Sequence, residues 1–120
     1  MKKLFYLSTC DTCKRIINTL DLPKDMMLQD IKKEPISRDE LSSLRQHVNS
    51  YEDLLNKRAR LYKERDLKNK TLTDNEIKEL IAENYTLLKR PVVVDQAAIF
   101  VGNSKKTKDE LKKHFNSSDS

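Results

Sequence analysis

Apolar residues in this chain gather into short uninterrupted runs or recur at intervals of three and four, and the two patterns alternate along its length. Leu4-Phe5-Tyr6-Leu7 is bounded by Ser8 and Thr9, Val92-Val93-Val94 follows Pro91, and Ala98-Ile99-Phe100-Val101 stops at Gly102-Asn103. Runs this short, rich in β-branched and aromatic side chains, favour a pleated and buried surface. Asp95-Gln96 makes a short turn between the last two runs, which predicts an antiparallel hairpin. Cys10 opens a segment in which Ile16, Ile17 and Leu20 share one helical face, broken at Leu22-Pro23. Met26-Met27-Leu28-Gln29-Asp30 then reads as a returning strand. A crossover this short predicts two parallel strands joined by a helix.

Ser37-Arg38-Asp39-Glu40 and Thr73-Asp74-Asn75-Glu76 are capping-box patterns, each followed by leucines or isoleucines at helical spacing. The first predicts a helix over about 38–46, Tyr51, Leu54 and Leu55 a short helical piece, and Ile77, Leu80 and Ile81 another helix. A last helix is predicted over about 106–115, before a polar tail, about 116–120, that should fray. The expected order is βαβ, helices, then ββα: an α/β chain with a helical insert over about 37–88.

With 120 residues the chain is expected to form one domain over 1–120. Met1-Lys2-Lys3 is followed by too little apolar sequence for a secretory segment, and no long uncharged stretch predicts a membrane span, so a cytoplasmic location is expected. The net charge of +5 favours anionic surfaces. Acidic residues are interspersed almost throughout, however, and they interrupt even the cationic stretch Lys57-Arg58-Ala59-Arg60, Lys63 and Arg65 at Glu64 and Asp66. Direct sequence-specific DNA binding is not expected. One glycine leaves no phosphate-cradling loop, so no bound cofactor is expected.

The only two cysteines are Cys10 and Cys13, set as C-D-T-C where the first strand passes into the first helix. In a reducing compartment a pair so spaced is a poor structural staple and a good reversible one. A thiol at a helix N-terminus is favoured as thiolate by the helix dipole. Two small buried hydrophobes are the plain alternative. Zinc needs about four ligands, and only His47 and His114 remain, at unrelated spacings that suit surface residues. Asp11 and Thr12 read as residues that offset the dipole or supply capping oxygens.

A C-x-x-C opening the first helix, a proline directly before the third strand and a closing ββα resemble the thioredoxin-like fold. The helical insert, Leu54-Leu55-Asn56-Lys57-Arg58 and Arg90-Pro91-Val92-Val93-Val94-Asp95 make the chain similar, over about residues 3–115, to the arsenate reductase (ArsC)/Spx family. The resemblance implies a mixed four-stranded sheet, a cis bond before Pro91, Cys10 as nucleophile, Cys13 as its resolving thiol, and Arg90 beside the active-site thiol. Arg58 matches an arginine of the Spx-like and ArsC-like branches. Glutaredoxin-linked arsenate reductases carry theirs two positions earlier, where this chain has Asn56. They also have a histidine at the position of Tyr6 and a further arginine where the chain reads Phe100-Val101-Gly102-Asn103.

The implied function is an oxidoreductase acting through Cys10 on arsenate, another small oxyanion or a glutathione-type disulfide, with glutathione, glutaredoxin or thioredoxin as reductant. The alternative is an Spx-type redox-sensing regulator that contacts the RNA polymerase α subunit. Ser50 stands where those regulators have a glycine in the contact surface.

Overall fold

The β-branched run after Pro91 is fully buried: Val92, Val93 and Val94 expose none of their surface. They form β3 (Val92–Asp95) of a four-stranded sheet with β1 (Lys2–Tyr6), β2 (Met27–Asp30) and β4 (Ala98–Val101). The computed structural model describes residues 1–116. The strand order is β2-β1-β3-β4, with β1 parallel to β2 and antiparallel to β3, and β4 antiparallel to β3. This is the mixed sheet expected from the sequence. Register places Phe5 opposite Val92 and Leu4 opposite Val93, so partners share a face.

Within a chain read from its length as one domain, two compact units are distinguishable. Met1–Glu34 joins the chain from Arg90 onward to form the sheet unit, and Pro35–Lys89 forms the insert. In the sheet unit, Leu4 and Val93 share a core with Ile16 of α1 (Asp11–Asn18), Met26, and Leu111 and Phe115 of α5 (Lys105–Phe115). Tyr6 and Phe100 pack against it, as expected of them. Asn116 ties the two helix ends together, accepting from the Asp21 amide at 2.8 Å and donating to the Thr19 carbonyl at 2.9 Å. The fraying expected over 116–120 lies, beyond Asn116, outside the described residues.

Several boundaries differ from those read in the sequence. β1 begins at Lys2 rather than Leu4, because Lys2 and Lys3 pair with Asp95 and Val94 of β3; sheet pairing overrides their weak strand preference. Met26 stays outside β2, its amide bonded to the Pro23 carbonyl at 3.1 Å while its side chain enters the core. Helix α1 ends at Asn18, before Leu22-Pro23. The Thr19 hydroxyl donates to the Ile16 carbonyl at 2.7 Å, and the Thr19 and Leu20 amides close 3₁₀-type bonds that tighten the last turn.

The insert carries α2 (Arg38–Arg45), α3 (Arg60–Glu64) and α4 (Asp74–Glu83), with 3₁₀ turns at Tyr51–Leu54, Leu67–Asn69 and Tyr85–Leu87. Both capping boxes close reciprocally at Ser37 and Thr73. Leu41, Leu44, Leu54, Ile81, Leu87 and Leu88 are fully buried. A bridge pairs Leu55 with Leu88, and the Lys89 amide bonds to the Leu54 carbonyl at 2.8 Å. Asp74 carries two jobs: one oxygen accepts from the Tyr51 amide at 2.7 Å, the other from Arg45 at 2.9 Å.

Burial opposes ionisation of Asp74, but the Tyr51 amide and the Arg45 guanidinium hold its carboxyl below the ordinary 3.8. A carboxyl depressed by folding stabilises the native state above its unfolded value, and that contribution is lost as pH falls through the folded value. Asp74→Ala is therefore expected to cost about 1 kcal/mol at pH 7, allowing for solvent screening of a half-exposed pair. In urea denaturation the deficit should shrink progressively below pH 3.8; a deficit that stays constant into acid would contradict this role.

Candidate active site at the start of the first helix

Strand β1 ends at Tyr6, and the chain turns immediately, the Cys10 amide bonding to the Leu7 carbonyl at 2.9 Å. Cys10 itself is the N-cap of α1, with extended backbone (φ −97°, ψ 107°), and its carbonyl accepts from the Lys14 amide at 3.2 Å. From the sequence, Asp11 and Thr12 are expected to offset the dipole or to supply capping oxygens. The structure corrects the capping part: no side-chain oxygen caps α1, because Cys10 occupies the capping position and presents sulfur to the Cys13 amide. Asp11 lies exposed in the first turn, where its charge offsets the dipole.

Cys13 lies one turn into the helix and is fully buried, whereas Cys10 is half-buried; both are free thiols. Their side chains hydrogen-bond to each other, and their environments act in opposite directions. Burial raises the Cys10 thiol, but the Cys13 amide, the Cys13 thiol and the charge and hydrogen bond of Arg90 together bring it below the ordinary 9.0. Burial pushes the Cys13 thiol up to about 12, with Cys10 adding to the rise and the Leu7 amide and Arg90 opposing it. One thiol of the pair is thus made the better thiolate, and its partner is kept protonated.

Arg90 reaches this place through the sheet. Because Phe5 pairs with Val92, the two residues before β3 lie beside the turn that leaves β1. The Arg90–Pro91 bond is cis, as the resemblance implied, and Pro91 is buried. Gly102 adopts φ 90°, and its amide bonds to the Pro91 carbonyl at 2.9 Å. A side chain would disfavour that conformation, which gives Gly102 a local reason to be glycine.

Cys10, Cys13, Arg90 and Pro91 all belong to the sheet unit, whereas Arg58 belongs to the insert. There Arg58 is exposed, and its amide donates to Asn56 Oδ1 at 3.0 Å. Asn56 also donates from Nδ2 to the Thr86 carbonyl at 3.4 Å, so it organises the local backbone. His114 pairs with Asp95 at 2.9 Å, and His47 is half-exposed. Among the described residues no group of three or more histidine, cysteine or acidic side chains is placed to hold a metal ion. Among the described residues no helix is long and apolar enough to cross a membrane.

Asp30 is the residue the sequence reading passed over. It ends β2, and its Oδ1 accepts from the Ser8 amide at 3.1 Å and the Lys32 amide at 3.2 Å. Its partner Ser8, in the turn that leaves the neighbouring strand, is 22 positions away, beyond the reach of any local pattern.

The model of the ArsC family matches residues 5–111. The global transcriptional regulator Spx of Streptococcus pyogenes serotype M1 is 31% identical over 104 residues, which span 85% of this chain and 78% of the regulator. An ArsC family related protein from Bacteroides fragilis superposes with a TM-score of 0.73 at 25% identity, over 92% of this chain and 97% of that one. A possible arsenate reductase from Streptococcus mutans gives 0.75 at 26% identity, over 93% and 98%. The fold is thus the thioredoxin-like one of these neighbours, and the chain belongs to the ArsC family.

Proposed function

We propose that this chain is an ArsC-type thiol–disulfide oxidoreductase in which Cys10 is the nucleophile and Cys13 the resolving thiol. The observation that carries the reading is the opposite displacement of two hydrogen-bonded thiols: Cys10 down, beside Arg90, and Cys13 up to about 12. A nucleophile must be ionised at neutral pH, and a resolving thiol must not compete with it.

With a disulfide substrate, Cys10 Sγ⁻ attacks one sulfur, the substrate S–S bond breaks, and the leaving thiolate departs. Cys13 then gives up its proton and attacks Cys10 Sγ. The mixed disulfide breaks, a Cys10–Cys13 bond forms, and the second substrate thiolate takes up the proton. Two electrons have passed to substrate, and a dithiol or two molecules of glutathione must return them. Covalent modification of Cys10 removes its contribution to the elevation of Cys13, so the second thiol becomes easier to ionise when it is needed.

Arg90 places a planar cation beside the reacting sulfur, suited to a small oxyanion such as arsenate or to a carboxylate of a glutathione-type substrate. Glutathione, glutaredoxin or thioredoxin are the reductants in keeping with this chemistry, which belongs in the cytoplasm. Arg58 is the second guanidinium of the family pattern and is assigned no step.

A second reading is favoured by the 31% identity to Spx regulators. In it the same Cys10–Cys13 bond shifts a surface that contacts the RNA polymerase α subunit. Pull-down of that subunit under reducing and oxidising conditions separates the readings: a difference favours the switch, and equal absence of binding removes it.

Alkylation and turnover both test the enzyme reading. Alkylation followed against pH should show Cys10 half-reactive below 9.0 and reacting ahead of Cys13 at every pH. Arg90→Gln should slow Cys10 alkylation at pH 7 by about tenfold. In coupled assays with arsenate or a glutathione mixed disulfide, Cys10→Ser should lose all measurable turnover, and Cys13→Ser should accumulate a mixed disulfide on Cys10. Full turnover by Cys10→Ser, or none by the unaltered chain with any of the three reductants, would overturn the assignment.

A further inference from the structure

Asp30 stands at the C-terminal end of β2, level with Tyr6 at the end of β1. From there its carboxylate reaches across to the turn that β1 feeds. Oδ1 accepts from the Ser8 amide at 3.1 Å and from the Lys32 amide at 3.2 Å, so one oxygen clasps two turns at once. The Ser8 side chain is the largest influence holding Asp30 below its ordinary 3.8, with the Ser8 and Lys32 amides adding to it. The Ile31 amide adds a bond to the Tyr6 carbonyl at 2.9 Å, continuing the ladder up to the clasp.

The other oxygen, Oδ2, is buried and has no hydrogen-bond partner. An unpaired buried carboxylate oxygen costs free energy, so a carboxylate retained there calls for a compensating role. Every bond it makes goes to a turn. One of these turns leads directly to Cys10: Ser8 is two positions before it, and the Leu7 carbonyl takes the Cys10 amide at 2.9 Å. Where the Cys10 sulfur sits relative to the Cys13 amide and Arg90 therefore depends on how firmly Ser8 is held.

We infer that Asp30 is a positioning residue for Cys10, fixing the turn through Ser8 so that the sulfur sits at the helix N-terminus beside Arg90. The inference rests on the nucleophile assignment above. It concerns geometry and not charge, and the two make opposite forecasts. A carboxylate acting through its charge would disfavour the thiolate, so its removal would ease ionisation of Cys10. A carboxylate acting as a clasp would, when removed, let the sulfur leave its donors, so ionisation would become harder.

The test is the pH profile of Cys10 alkylation, read by peptide mass spectrometry in the full chain, for Asp30→Ala, Asp30→Asn and Asp30→Glu. Asp30→Ala is expected to move the midpoint up toward 9.0 and to slow alkylation at pH 7 by roughly tenfold. Asp30→Asn keeps an oxygen to accept the Ser8 amide and should stay within about twofold of the parent, a rescue that a charge role forbids. Should Asp30→Ala not fold, Asp30→Glu, whose carboxyl sits one methylene further out, is expected to shift in the same direction by less. An unmoved midpoint in every folded variant would overturn the inference, as would a fall in both the Ala and Asn variants. A parent Cys10 that itself titrates at or above 9.0 would instead fail the nucleophile assignment, a result distinct from either.

Discussion

The candidate site depends on the register between β1 and β3, in which Phe5 lies opposite Val92. Both strands are central in the sheet, and each is followed or preceded at the same end by a residue that chemistry needs: Cys10 after β1, Arg90 before β3. Side chains alternate with a period of two along a strand, so a slip of one residue would turn Leu4, Val93 and their neighbours to the opposite face. Leu4 and Val93 expose none of their surface, and their core includes residues of both α1 and α5. Burial of Leu4 and Val93 on the face covered by α1 and α5 thus pins the register, and the register delivers a guanidinium to the thiol.

Within that frame the two cysteines differ by position more than by chemistry. Cys10 caps a helix at the edge of the fold, and Cys13 is one turn deeper. Desolvation acts on both, but only Cys10 receives enough from amide, thiol and cation to overcome it. The C-x-x-C spacing creates this inequality, because it places one sulfur at the exposed start of a helix and the other on its buried face. Oxyanion reduction, disulfide exchange and a redox-sensing switch all draw on the same inequality between an ionised and a protonated thiol.

Much of this was legible in the sequence because it is written locally. Ser37-x-x-Glu40 and Thr73-x-x-Glu76 name their own bonds, the valines after Pro91 name a buried strand, and C-D-T-C names a helix start. What escaped was set by partners far along the chain. Lys2 and Lys3 become strand because β3 pairs with them; Asp30 meets Ser8 across 22 positions, and Asp74 meets the Tyr51 amide across 23. The segment of α3 and the 3₁₀ turn after it, rich in lysine and arginine, carries too little apolar periodicity to announce itself. Thr19 ended α1 early by a hydroxyl bond that composition does not distinguish from a helix-interior threonine.

The central claim is that Cys10 and Cys13 form one redox couple entered through Cys10. Equilibration of the chain in glutathione buffers of graded potential, with each species counted by mass after acid quenching, tests it most directly. The account predicts a single two-electron transition from the dithiol to an internal disulfide two hydrogens lighter, with any glutathione adduct transient and confined to Cys10. A stable adduct on Cys10 beside an unreacted Cys13 thiol, at every buffer ratio, would contradict it.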